Sequence, residues 1–237
     1  MITVYWTVPQ HYDFIGLRQP APYPLLPKFV KDKNLAVPGL EYNRCPAFRQ
    51  SLDNVFVGTS SVAVTVGYKF NQIHCDQDSQ AAVEKFVQIR SLEERAFLLN
   101  SKHLFFTEED SLEVTLTGAY LEDDNFNNNI TVIPGTYDIG KWFRPVECSF
   151  YVKQGDRTLA VQEHTPIYYL RFHTQQKIQF KRFICTPEIQ AYANTILNSR
   201  NFNNGKIKSM NWFYDIFSNQ KNLKKLLVKK IKDNIID

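Results

Sequence analysis

His74-Cys75-Asp76 is an H-x-D triplet, an imidazole and a carboxylate of the kinds that ligate divalent metals. Two later histidines, His164 and His173, are candidates for a third ligand, and Arg182 follows nine residues beyond His173. Other routes to chemistry are missing from the chain. It contains no G-x-S-x-G, no G-x-x-x-x-G-K-[ST], no H-E-x-x-H and no G-x-G-x-x-G, so nucleophile-elbow, phosphate-loop, zincin and dinucleotide readings have no support. Glu108-Glu109-Asp110 and Glu122-Asp123-Asp124 lack the ligand spacing of a calcium loop and read as solvated turns. The four cysteines, Cys45, Cys75, Cys148 and Cys185, form no C-x-x-C pair. They are expected to act as small buried hydrophobes.

The triplet, the distal His173 and the basic Arg182 on a β-rich chain resemble the Fe(II)/2-oxoglutarate oxygenases. That resemblance implies His74, Asp76 and His173 as ligands on one face of the iron, with Arg182 as the anchor of a 2-oxoglutarate carboxylate. The chain departs from the family in one place: Ile184 stands where a small hydroxyl residue usually follows the anchor. A second triplet, His11-Tyr12-Asp13, arises elsewhere without any such context. The simpler reading puts His74 and Asp76 in a polar turn between strands. On that reading no cofactor is expected, and Fe(II) and 2-oxoglutarate enter only through the resemblance.

The elements that would hold these residues are mostly strands. Phe and Tyr number 18 and 12 against nine glycines, a bias that suits half-buried pleated surfaces. Val62, Val64, Val66, Tyr68 and Phe70 alternate with Ala63, Thr65, Gly67 and Lys69, the period of a strand with one buried face. Ile2–Val8 predicts a first strand, ended by Pro9. Further strands are expected over Val83–Ile89, Leu104–Thr107, Leu112–Tyr120, Ile130–Ile133, Glu147–Lys153, Ile167–His173 and Lys177–Cys185, the last two joined as a hairpin through Thr174–Gln176. Pro20, Pro22, Pro24 and Pro27 mark an extended covering segment. Many short strands with almost no helix between them predict a mainly β protein, a β-sandwich or jelly-roll over residues 1–185.

After Cys185 the pattern changes. Thr186-Pro187-Glu188 has the residues of a helix start, and Ile189, Tyr192, Ala193, Ile196 and Leu197 recur on one helical face. Asn203-Asn204-Gly205 would end that helix, and the aromatic stretch Met210–Phe217 would dock on the body. Leu223, Leu226, Leu227, Ile231 and Ile235 form a last stripe, so residues 186–237 predict a helical C-terminal segment.

The net charge of +4 is carried entirely by Gln220–Asp237, with six lysines and two aspartates, and the rest of the chain is neutral. Lys224, Lys225, Lys229 and Lys230 are the candidate contacts for a nucleic acid, an anionic surface or an acidic partner. A solvated lysine face is the competing expectation. No apolar run is long enough to predict a membrane span, and Met1–Gln10 does not read as a secretory signal.

Tyr42-Asn43-Arg44-Cys45-Pro46-Ala47-Phe48, Asp53–Val57 and Gly135–Tyr151 (GTYDIGKWFRPVECSFY) resemble uncharacterised proteins of T4-like tailed phages. That resemblance implies a viral protein, in the host cytoplasm or the virion. With its aromatic-rich surface candidates, the chain is expected to be a non-enzymatic binding or assembly protein with a protein partner or self-association. The oxygenase is the alternative.

Overall fold

A computed structural model describes residues 1–8, 23–28, 45–60, 63–69, 72–202 and 221–236. Pro20, Pro22, the His11 triplet, Val62, Phe70, Asn203-Asn204-Gly205 and Met210–Phe217 lie outside the described residues. Strand accounts for 44 % and helix for 25 %, so the protein is mainly β.

The largest sheet is organised by one long strand. Strands β1 (Ile2–Thr7), β5 (Val87–Ser91), β6 (Ala96–Thr107), β8 (Ile130–Val132), β10 (Pro145–Val152) and β13 (Ile178–Arg182) form it in the order β13-β1-β6-β10-β8, with β5 also on β6. One edge of β6 is shared: β5 pairs with Ala96–Leu99 and β1 with Leu104–Thr107, while β10 runs along the opposite edge. The strand expected over Leu104–Thr107 is thus only the end of a twelve-residue strand. Asn100-Ser101-Lys102 interrupts its apolar pattern, which hides its length in the sequence.

A four-stranded antiparallel sheet contains β2 (Val55–Thr59), β12 (Pro166–Phe172), β7 (Glu113–Gly118) and β9 (Gly135–Asp138), in that order. A three-stranded one has β11 (Arg157–Val161), β3 (Val64–Lys69) and β4 (Gln72–Cys75). In β3, Val64, Val66 and Tyr68 are buried while Thr65, Gly67 and Lys69 are not, as the alternation predicts. All three sheets contribute to one core, including Trp6, Phe97, Phe105, Leu116, Phe150, Leu159, Tyr168 and Phe172.

The expected hairpin between the last two long strands does not form. β12 belongs to the four-stranded sheet, whereas β13 crosses to the large sheet and pairs parallel with β1. Asn54, at φ 53, holds the corner by donating from Nδ2 to the carbonyls of Thr174 and Gln176 at 2.7 and 2.9 Å. The rings of Phe172 and Phe180 then meet edge-on inside the core, 5.7 Å between centroids, because their strands lie in different sheets.

The strand expected over Val83–Ile89 is also corrected. Helices α1 (Pro46–Ser51), α2 (Gln77–Phe86) and α3 (Asn125–Asn129) interrupt the strands, and α2 runs straight into β5. Asp76 caps α2, and its Gln, Ala, Glu and Lys content favours helix over the period-two reading.

Two further apolar clusters flank the main core. Helices α4 (Pro187–Phe202) and α5 (Lys221–Lys232) build a second apolar cluster on the large sheet, where Tyr5, Leu104, Phe106 and Phe183 meet Ile189, Ala193, Leu227 and Ile231. Thr186 Oγ1 accepts from the Ile189 N–H at 3.3 Å, the helix start expected from sequence. Leu26, Leu52, Val55, Val57, Ala119 and Tyr169 form a third cluster. No helix among the described residues is long and apolar enough to cross a membrane.

Candidate functional site

The residues singled out for metal chemistry are not brought together. His74 is exposed on β4 in the three-stranded sheet. Asp76 is the N-cap of α2 and accepts from the Ser79 N–H at 2.6 Å, and its bonds with the Ser79 hydroxyl and then this N–H lower its carboxyl pKa. His173 follows β12 in the four-stranded sheet, with Nε2 2.7 Å from Thr115 Oγ1. His164 has φ 68 in the β11–β12 turn, beside Glu163. Arg182 ends β13 with its guanidinium 5.4 Å from the Trp6 ring centroid. Among the described residues no three His, Cys, Asp or Glu side chains are grouped to hold a metal ion. The triplet is therefore not simply a polar turn either, since its aspartate starts a helix.

The cysteines divide. Cys148 and Cys185 are buried, and burial pushes the Cys148 thiol up to about 12. Cys45 and Cys75 are exposed free thiols, against the expectation that all four pack inside.

The basic tail is largely turned onto the body. Lys224 donates to the Glu109 carbonyl at 2.6 Å and lies near the Phe106 ring, and burial lowers its ammonium pKa despite nearby Asp110. Lys230 binds the Glu188 carboxylate of α4. Lys232 binds Glu108 at 2.8 Å, whose other oxygen accepts from Tyr5 at 2.5 Å. Burial acts to raise the Glu108 carboxyl, but the bonds from Lys232 and Tyr5 outweigh it and hold it below its ordinary value. Of the four candidate contact lysines, Lys225 and Lys229 face solvent. The stripe residues Leu227 and Ile231 are fully buried, whereas Leu226 is exposed.

The main core contains a buried polar chain. Tyr23 Oη is 2.7 Å from His103 Nδ1 and 2.9 Å from Tyr168 Oη. Burial, with a lesser push from Arg182, drives the imidazole pKa down to about 3, so His103 is neutral. Its Nε2 and the Trp6 Nε1 have no partner among the described residues.

A cavity is the feature that sequence reasoning missed. A small cavity of about 40 Å³, open at one end, lies between the three-stranded sheet and the large sheet. One wall is Val64, Val66 and Tyr68 of β3 with Leu159 and Val161 of β11 and Ile73 of β4. The facing wall is Val87, Phe97, Leu99, Phe150 and Val152 from β5, β6 and β10. Ala82 and Phe86 of α2 and Phe126 of α3 close it, and Ser60 is at its margin. The Tyr68 hydroxyl already donates to the Leu92 carbonyl at 2.9 Å, so the lining is apolar. Helix α2 is held over this space at its N-terminal end, where Ser79 Oγ accepts from the Thr65 N–H at 3.0 Å. The alternating valines of β3 were legible as a buried face, but not as a wall standing clear of the opposite one.

Comparison with family models, with curated proteins and with solved structures gave no match to this chain.

Proposed function

We propose that this chain is a non-enzymatic binding protein, built as a β-sandwich of jelly-roll kind, that holds the apolar part of a ligand in the cavity beneath α2. The observation that carries this reading is the lining: fifteen residues from two sheets, two helices and the turn at Ser60, none of them a carboxylate, imidazole, amine or thiol. Apart from the Ser60 and Tyr68 hydroxyls such a site presents only hydrocarbon, and it removes hydrocarbon from water. Small-molecule sites are concave and mostly apolar, and burying apolar surface contributes about 25 cal/mol per Å². The resemblance to T4-like phage proteins motivates a viral setting for this binding, in the host cytoplasm or the virion. A protein partner could present the same apolar group as a side chain.

Thermal unfolding in the presence of dodecanol tests the reading. A ligand that binds only the folded state raises the midpoint as its concentration passes its Kd. The wild type should show that rise. Ala82→Trp, which fills the space from α2, should remove it while keeping a wild-type circular dichroism spectrum. No rise in the wild type, or an equal rise in a folded Ala82→Trp variant, would overturn the proposal.

A further inference from the structure

The cavity wall ends in positive charge. Residues opposite one another in an antiparallel pair share a face, so the inner face of the three-stranded sheet reads outward in rungs: Val161 beside Val64, Leu159 beside Val66, then Arg157 beside Tyr68. The first two rungs line the cavity, and the third places an exposed arginine one step beyond Leu159 on the same face. A second arginine arrives from the large sheet. Arg95, in the turn just before β6, has its guanidinium 5.1 Å from the centroid of the Tyr68 ring.

The two arginines converge on Gly155. Arg95 donates from Nη1 to the Gly155 carbonyl at 3.0 Å and to the Lys153 carbonyl at 3.2 Å. A β-carbon built on Gly155 would be 3.8 Å from the Arg157 guanidinium carbon, which marks how close that head group comes. Arg95 has φ 56, a left-handed conformation uncommon for a long side chain, and Gly155 has φ 91. Glu93 and Glu94 precede Arg95 and Asp156 precedes Arg157, all exposed. Neither arginine forms an ion pair among the described residues. Exposed Ile89, one step beyond the lining residue Val87 and in register with Phe97, extends the apolar rim.

The geometry points to an anionic amphiphile as the ligand: a fatty acid with the end of its hydrocarbon tail in the cavity, the rest along the apolar rim, and its carboxylate at Arg95 and Arg157 beside Tyr68. The inference rests on the apolar-binding reading above and adds the head group. A neutral chain gains only the apolar burial. A carboxylate also gains charge-assisted bonds to guanidinium groups that form no ion pair among the described residues.

Titration calorimetry with dodecanoate, dodecanol and dodecyltrimethylammonium, all kept below their micellar concentrations, tests it. Dodecanoate should bind about tenfold or more tighter than dodecanol, with the cation weakest. Arg157→Gln changes an exposed side chain and should fold normally. It should lose most of the dodecanoate advantage while leaving dodecanol unchanged, and Arg95→Gln should do the same wherever its melting curve shows it folded. High salt should weaken dodecanoate alone. Equal affinity for dodecanoate and dodecanol would overturn the head-group assignment and leave the cavity reading standing. Binding of none of the three would overturn both. An advantage that survives in Arg157→Gln and in folded Arg95→Gln would also overturn the assignment. So would sedimentation with phosphatidylglycerol vesicles without uptake of monomeric dodecanoate, which would favour a membrane surface as the partner.

Discussion

His103 should make the protein lose stability on mild acidification, and the effect can be worked through from its surroundings. The side chain is 5 % exposed on β6, among Trp6, Tyr23 and Phe105, with Arg182 as the charge that disfavours a second proton. Its pKa falls from 6.5 to about 3 in the folded state. Below pH 6.5 the unfolded chain therefore takes up a proton at this residue and the folded one does not. The unfolded state binds more protons, so this contribution is fully present above about pH 6.5. It is lost progressively as pH falls toward 3. Each pH unit within that window costs about 1.4 kcal/mol, or about 2–3 kcal/mol between pH 7 and pH 4.5.

His103→Phe removes the titration and keeps an aromatic ring in the site, and Tyr23 retains its Tyr168 partner. Urea unfolding of both proteins at pH 7 and pH 4.5, with matched m-values, isolates the term, because other titrating groups are common to both. The variant should be the less stable at pH 7, by about 1–3 kcal/mol for the lost buried bond and imperfect packing. It should lose about 2–3 kcal/mol less than wild type on acidification. Parallel losses in the two proteins would refute a neutral, proton-excluding His103.

Three further outcomes are expected. Val66→Asp puts an unpaired carboxylate on the inner face of β3, where Val66 is buried, and should cost more than about 4 kcal/mol or abolish soluble expression; a wild-type melting curve would mean that this face is solvated. Asp76→Ala should cost about 1 kcal/mol through loss of the α2 cap, with no change in metal content by elemental analysis, whereas loss of stoichiometric iron would revive the oxygenase reading. In the tail, Leu227→Ala should cost about 2–5 kcal/mol because its side chain is fully buried, while Lys225→Gln with Lys229→Gln should change stability by less than about 0.5 kcal/mol in chemical denaturation.

What the sequence determined is what is written within a few residues. Period-two alternation assigned the buried face of β3, because successive side chains on a strand point to opposite sides whatever their neighbours, and short strand-like runs marked β7, β8, β10 and β12. Thr186-Pro187-Glu188 marked the start of α4, because capping is a bond made within one turn. The Leu227/Ile231 face of α5 was legible for the same local reason.

Tertiary structure decided everything that depends on which strands are neighbours. Five residues separate Phe172 from Ile178 whether they close a hairpin or turn a corner between sheets, and only the Asn54 anchor and the Phe172–Phe180 contact select the corner. The H-x-D triplet carries no record of whether its aspartate faces a metal or the Ser79 N–H. Lys224 and Lys225 are indistinguishable in the sequence, yet one is tucked against Phe106 and the other faces water, since helix rotation on the large sheet is set by Leu227 and Ile231. The cavity is the furthest from local pattern, because it is a space between walls separated by long stretches of chain. The meeting of Arg95 and Arg157 at Gly155 likewise exists only once the three-stranded sheet lies against the end of β6.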